Sequence, residues 1–158
     1  MKNRIAIFPG SFDPFTVGHE SIVIRARGLF DKIIIAIGSN SSKQSLFTME
    51  DRLGWIRDIF RNDEKISIIS FQGLTVDCCR NNSAGYILRG LRTSSDFEFE
   101  RAIAQMNRTM HPEIETVFLL ALPEFSHVAS AIVRDIIVHG GDPSIFLPSA
   151  VKIKSVKG

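Results

Sequence analysis

The chain carries almost no net charge: nineteen Lys and Arg against seventeen Asp and Glu leave +2 over 158 residues. That balance excludes the strongly basic footprint of a dedicated nucleic-acid binder, so any positive charge that matters for function has to be local. Cysteine is scarce too. Cys78 and Cys79 are the only two, and they are neighbours, so they form neither a CxxC redox pair nor a spaced set of metal ligands. Buried or half-buried thiols in a reducing compartment is what such a pair suggests. There is no long hydrophobic run. Lys2 and Arg4 precede an apolar stretch that Pro9 and Gly10 interrupt, too short for a signal-peptide core or a membrane span, and a cytoplasmic protein without a membrane partner is expected. GxGxxG and Walker A loops are both missing, which removes the generic dinucleotide and P-loop readings. So are internal repeats, low-complexity tracts and linkers. With 44% hydrophobic residues, a single domain over residues 1–158 has enough material for a sizeable core.

What is present is alternation. Short apolar, β-branched runs occur at Ile5–Phe8, Ile33–Ile37, Ile66–Phe71, Tyr86–Leu88 and Val117–Leu120; near-continuous strands of this kind suit a parallel sheet covered on both faces. Helical spacing fills the gaps. Gly18–Phe30 sets Ile22, Ala26 and Leu29 on one side, and Thr48–Phe60 opens with a capping-box pattern closed by Asp51. Ser95–Met110 carries the stripe Phe99, Ile103, Met106 and Met110, and a last pair is expected over Ser130–Val138 and from Pro148 onwards. The pattern predicts an α/β fold, a doubly wound five-stranded parallel sheet with right-handed crossovers.

Such sheets bind ligands beyond the carboxyl ends of their strands. The first edge, Pro9–His19, brings Gly10, Ser11 and Phe12 and then starts a helix near Gly18-His19. A helix start of this kind attracts phosphate and His19 can add a donor, although a plain turn with a histidine cap has the same spacing. The fourth edge holds Arg89-Gly90-Leu91-Arg92, two guanidiniums suited to bidentate phosphate contacts or to pairing with Asp96, Glu98 or Glu100. Lys43 adds a cation on the Ser/Asn-rich segment after the second strand. At the fifth edge Ser126 or Ser130 can cap the next helix or face a phosphate or ribose. Near these ends there is no Ser-His-Asp elbow, no paired catalytic carboxylates and no Cys-His arrangement. Cations and N–H donors without a protein nucleophile fit direct transfer of a phosphoryl or nucleotidyl group between two bound substrates.

Ser11-Phe12-Asp13-Pro14 with Thr16-Val17-Gly18-His19 resembles the Ser/Thr-Phe-Asp-Pro-x-Thr/His-x-Gly-His signature of the nucleotidyltransferase superfamily, which shares its HxGH-type motif with class I aminoacyl-tRNA synthetases. Ile87–Arg92, Asp96–Glu100, Met106-Asn107-Arg108 and Glu115–Leu119 are similar to the bacterial phosphopantetheine adenylyltransferase family, nearly end to end. The resemblance implies a Rossmann-like nucleotidyltransferase fold and transfer of AMP from ATP to 4′-phosphopantetheine, with Mg²⁺ assisting. Dephospho-coenzyme A and pyrophosphate are the implied products, and no covalent enzyme intermediate forms. It implies that His19 stabilises the transition state, with Lys43 and Arg92 also at the chemistry. Ser11, Lys43, Thr75 and Arg89 would hold phosphopantetheine. Ser11, Phe12, His19, Gly90, Leu91, Arg92, Glu100 and Phe125-Ser126-His127-Val128-Ala129-Ser130-Ala131 would hold ATP. It also implies a homohexamer and feedback inhibition by coenzyme A. Many members have Trp-Ser-x-x-Ser-Ser-Ser at 125–131; this chain keeps only Ser130 of that serine run. A rival acceptor, nicotinamide mononucleotide or glycerol phosphate, fits the Arg89–Arg92 and Asp96–Glu100 pattern less well, and a non-catalytic nucleotide sensor would not need the Ser11, His19, Lys43 and Arg92 set.

Overall fold

The computed structural model describes residues 3–39 and 44–153. Five parallel strands, β1 (Ile5–Gly10), β2 (Lys32–Gly38), β3 (Ile66–Phe71), β4 (Tyr86–Leu91) and β5 (Glu115–Leu120), lie in the order β3-β2-β1-β4-β5. Helices α1 (Val17–Ala26), α2 (Met49–Phe60), α3 (Thr75–Asn81), α4 (Ser94–Met110) and α5 (Ser130–Val138) connect or follow them. This is the doubly wound, Rossmann-like arrangement the alternation predicts.

The strand sequences explain the two covered faces. Successive side chains point to opposite sides of a strand, so in β1 Ala6 and Phe8 join α1 and α2 residues such as Val23 and Ile56 in one cluster. Ile7 turns the other way, with Val76 and Cys79 of α3 and with Ile87. In β2 everything from Ile33 to Ile37 is buried, which is why it reads as an unbroken apolar run. A third cluster packs Val133 and Ile137 of α5 with Leu147 and Val151, against Phe47, Trp55 and Ile59.

Several expected boundaries move. The first helix ends at Ala26, not Phe30: the amides of Leu29 and Phe30 both turn back to the Ala26 carbonyl, which folds Phe30 into the core and leaves Leu29 exposed. α3, seven residues long, has too little periodic sequence to announce itself. No helix forms over 148–153, where the chain turns after Pro148 and buries Val151 under α5 instead; residues 154–158 lie outside the described part. β4 continues three residues past Leu88, so Arg89, Gly90 and Leu91 belong to a strand and not to the loop after it. The apolar stripe falls on α4 as expected, but Phe99, Ile103, Met106 and Met110 are all exposed.

The switch point of the strand order falls between β1 and β4, where helices on the two sides depart in opposite directions and leave a crevice. The β1–β4 ladder is short. It runs only from Ala6↔Tyr86 to Ile7↔Ile87, whereas β1 and β2 stay in register from Ile5↔Lys32 to Gly10↔Ile37. Past Ile7, the space between the two central strands is free for other groups.

Candidate active site

Arg89 enters that space. Its Nη1 donates to the Pro9 carbonyl at 2.6 Å, across the gap, while Nε and Nη2 form a fork onto the Glu100 carboxylate at 2.9 and 2.5 Å. Clefts open on either side of this pair. The larger, of about 390 Å³, is lined by Ser11, Phe12, His19, Arg92 and the start of α5, and the smaller, of about 250 Å³, by Phe71, Thr75, Ile87, Ile103 and Asn107; Pro9, Gly10, Arg89 and Glu100 border both. Arg92 is anchored as well. Its Nε donates to Asp96 at 3.2 Å and its Nη1 to the Val128 carbonyl at 3.4 Å. The two arginines therefore both pair with the acidic start of α4 and face the clefts, and Glu98 goes to Arg101 instead.

His19 sits in the first turn of α1, inside a capping box. The Thr16 hydroxyl accepts from the His19 amide at 3.4 Å, and the Thr16 amide donates to His19 Nδ1 at 3.0 Å. The ring here takes the place usually held by Glu or Gln in such a box. Because Nδ1 accepts, the neutral ring carries its proton on Nε2, the nitrogen left for the cleft. Three phenylalanines surround it: centroid distances are 5.0 Å to Phe12, 5.2 Å to Phe15 and 6.3 Å to Phe8. Although the residue is only half-buried, loss of hydration among these rings, with Arg92 and Arg89 nearby, pushes its pKa from 6.5 down to about 3. His19 is a neutral N–H donor at neutral pH.

Phe12 reaches this position with φ at 47°, a left-handed backbone that bulky residues rarely adopt. Its ring lies where a side chain on Gly10 would be, 2.8 Å from an ideal Cβ there. Gly90 has a parallel reason, since a Cβ would come within 3.1 Å of Ile22 on α1. At the fifth edge α5 begins at Ser130 with Ala129 as its N-cap, and no side chain caps it. Its first amides are therefore unspent and line the larger cleft, an arrangement that favours anions. The Ser130 hydroxyl is not one of the cleft's donors to spare, for it donates to the Pro14 carbonyl at 2.9 Å.

Residues 7–136 match the family model described as Cytidylyltransferase-like. A phosphopantetheine adenylyltransferase of Flavobacterium psychrophilum is 52% identical over 96% of this chain and 99% of its own; one of Leptospira biflexa is 49% identical over 97% and 96%. This chain belongs to the phosphopantetheine adenylyltransferase family. Solved structures agree in fold. A bifunctional NMN adenylyltransferase/ADP ribose pyrophosphatase of Francisella tularensis, complexed with AMP and manganese, superposes with TM-score 0.67 at 19% identity, covering 92% of this chain and 44% of that longer one. A Plasmodium falciparum nicotinic acid mononucleotide adenylyltransferase complexed with NaAD gives 0.64 at 18% identity, covering 94% and 93%.

Set out in this phosphopantetheine adenylyltransferase fold, the residues expected from sequence divide clearly. Ser11, Phe12, His19, Gly90, Arg92, Glu100, Phe125, Val128, Ala129, Ser130 and Ala131 line the larger cleft, and Thr75 the smaller. Leu91 is buried, Ser126 donates its hydroxyl to the Pro123 carbonyl, and His127 lies against the Phe146 ring; none of these three is among the lining residues. Lys43 lies outside the described residues. Arg134 and Thr16, not singled out in the sequence, line the larger cleft as well. Thr16 had a signal, its place three residues before His19 in a capping-box spacing, whereas Arg134 had none.

Proposed function

We propose that this member of the phosphopantetheine adenylyltransferase family joins two substrates across the Arg89–Glu100 pair: ATP in the larger cleft and 4′-phosphopantetheine in the smaller. The observation that carries this is the pairing of unlike clefts at one anchored guanidinium, one ending at a bare helix start and the other at apolar side chains. The pantetheine arm suits Phe71, Ile87 and Ile103, with Thr75 and Asn107 as polar contacts. Its phosphate would then lie near Arg89 and Ser11, with Lys43 as the further cation the family resemblance implies, and the triphosphate near Arg92 and the α5 amides.

An oxygen of the acceptor phosphate attacks the α-phosphorus of ATP as the bond to the β-phosphate oxygen breaks, and the electron pair leaves with pyrophosphate. Dephospho-coenzyme A is the other product. A phosphate acceptor is already an anion, so no general base has to take a proton from it, which accounts for a cleft made of cations and N–H donors. His19 Nε2–H donates to the oxygens on which charge accumulates. As a neutral donor it keeps its proton throughout. Among the described residues no group of three or more His, Cys, Asp or Glu could hold a metal; Mg²⁺ would come with the nucleotide phosphates and neutralise their charge.

Coenzyme A contains the product's atoms and would compete for both clefts as an inhibitor. A homohexamer is the proposed assembly. It is supported by α4, which buries no residue of its own in the protomer and exposes Phe99 by 68% and Met106 by 65%. Among the described residues no helix is long and apolar enough to cross a membrane, and the free thiols of Cys78 and Cys79 suit the cytoplasm. Pyrophosphate release with ATP and a panel of acceptors tests the reading. Release with phosphopantetheine alone, with dephospho-coenzyme A identified by mass, is expected; release with nicotinamide mononucleotide or glycerol phosphate instead would contradict it.

A further inference from the structure

The loop between β1 and α1 is held from outside at Ser11, Asp13 and Pro14. The Ser11 carbonyl accepts from Arg52 Nη1 at 2.7 Å, the Asp13 carbonyl from Arg134 Nη1 at 2.7 Å, and the Pro14 carbonyl from the Ser130 hydroxyl. The Asp13 carboxylate works in the other direction. Its Oδ2 accepts from the Leu46 amide at 2.8 Å and its Oδ1 from the Phe47 amide at 2.9 Å, just ahead of α2, where Arg52 also donates to the Thr48 carbonyl. The loop and the β2–α2 connection are therefore stitched together twice, by Asp13 and by Arg52.

Both stitches use buried charges, with Asp13 4% and Arg52 5% exposed. Neither forms an ion pair among the described residues. Burying a charge to bind backbone dipoles costs hydration that an apolar residue would not lose, so it is a poor way to gain stability and a good way to fix one backbone arrangement. The arrangement fixed here ends at Thr16, whose amide selects the His19 tautomer.

We propose that Asp13 is a positioning residue for the transfer step: by fastening the β1–α1 loop to the Leu46 and Phe47 amides, it holds Thr16 so that His19 presents Nε2–H to the cleft. The effect on rate rests on the function proposed above, whereas the effect on the ring does not. In Asp13→Asn the amide can accept from one of the two N–H groups but sets a donor against the other. Ile33→Ala, at the far end of β2, provides a control, the comparison being made at temperatures equally far below each Tm.

Asp13→Asn is expected to lower kcat by about tenfold or more with KM for ATP within about threefold, a loss that Ile33→Ala does not share. Long-range ¹H–¹⁵N correlation spectra of the ligand-free protein should show a single Nε2–H tautomer for His19 in the parent and a mixture in Asp13→Asn. A folded Asp13→Asn with an unchanged tautomer, or with a kcat loss no greater than that of Ile33→Ala, would overturn the proposal. If the parent itself is inactive with phosphopantetheine, the functional reading fails while the tautomer comparison still decides the role of Asp13. Should Asp13→Asn not fold, Arg52→Lys against Arg52→Met reads the second stitch in the same two measurements. Lys retains one donor for the Ser11 carbonyl, so partial retention of kcat and tautomer in Lys over Met is expected, and equal loss in both would overturn it.

Discussion

Replacing His19 with Ala removes one neutral donor and the ring that fills the space among Phe8, Phe12 and Phe15. A donor aimed at developing charge contributes about 2.7–4 kcal/mol to the transition state, which is a loss of roughly 10²–10³ in kcat. ATP affinity should change far less, because Arg92 and the α5 amides remain. The lost packing lowers stability by roughly 0.5–3 kcal/mol, the ordinary range for a single substitution, so the protein should still fold. Single-turnover formation of dephospho-coenzyme A, with ATP binding measured separately by calorimetry, distinguishes the two effects. His19→Gln can place an amide N–H near the Nε2 position and should recover part of the rate. A His19→Ala rate within about threefold of the parent would refute the donor role.

Because the His19 pKa lies near 3 in the fold and 6.5 is its ordinary value, protonation favours the unfolded chain; stability falls as pH drops through that window, and the ring's NMR signals should not titrate between about pH 5 and 8. A midpoint near 6.5 would contradict the aromatic enclosure. Gly10→Ala drives a Cβ into the Phe12 ring; a stability loss of about 1–3 kcal/mol by chemical denaturation is expected, with a fall in kcat as Phe12 shifts against His19. If the proposed hexamer forms through α4, Phe99→Glu combined with Met106→Glu should reduce the mass seen by sedimentation velocity to that of smaller species, and an unchanged mass would remove α4 from such an interface.

The alternation of strands and helices is legible because the central strands are unbroken apolar runs, Ile33–Ile37 above all. The extent of β4 is not legible. Arg89 and Gly90 look like loop residues until Glu100, eleven positions on, and the Pro9 carbonyl, eighty positions back, meet the Arg89 charge inside the sheet. Position also misleads at the fifth edge. Ser130 is the serine retained from the family's run, yet its hydroxyl ties down Pro14, so the phosphate proposed for this edge would have only the backbone amides to bind. Asp13 stands in the quoted motif, but what it holds lies more than thirty residues away, at Leu46 and Phe47, and no local pattern signals such a partner. Arg52 and Arg134 lie within amphipathic helices where an arginine is ordinarily solvated, so their burial or cleft position depends entirely on tertiary packing.

Direct transfer between two bound phosphates is tested most directly by the stereochemistry at the α-phosphorus. With ATP made chiral there by sulfur, one in-line displacement by phosphopantetheine inverts the centre. Inversion in the dephospho-coenzyme A product is the expected result. Retention would mean two displacements through a covalent adenylyl-enzyme, and would contradict a cleft that works by cations, amides and the neutral His19 alone.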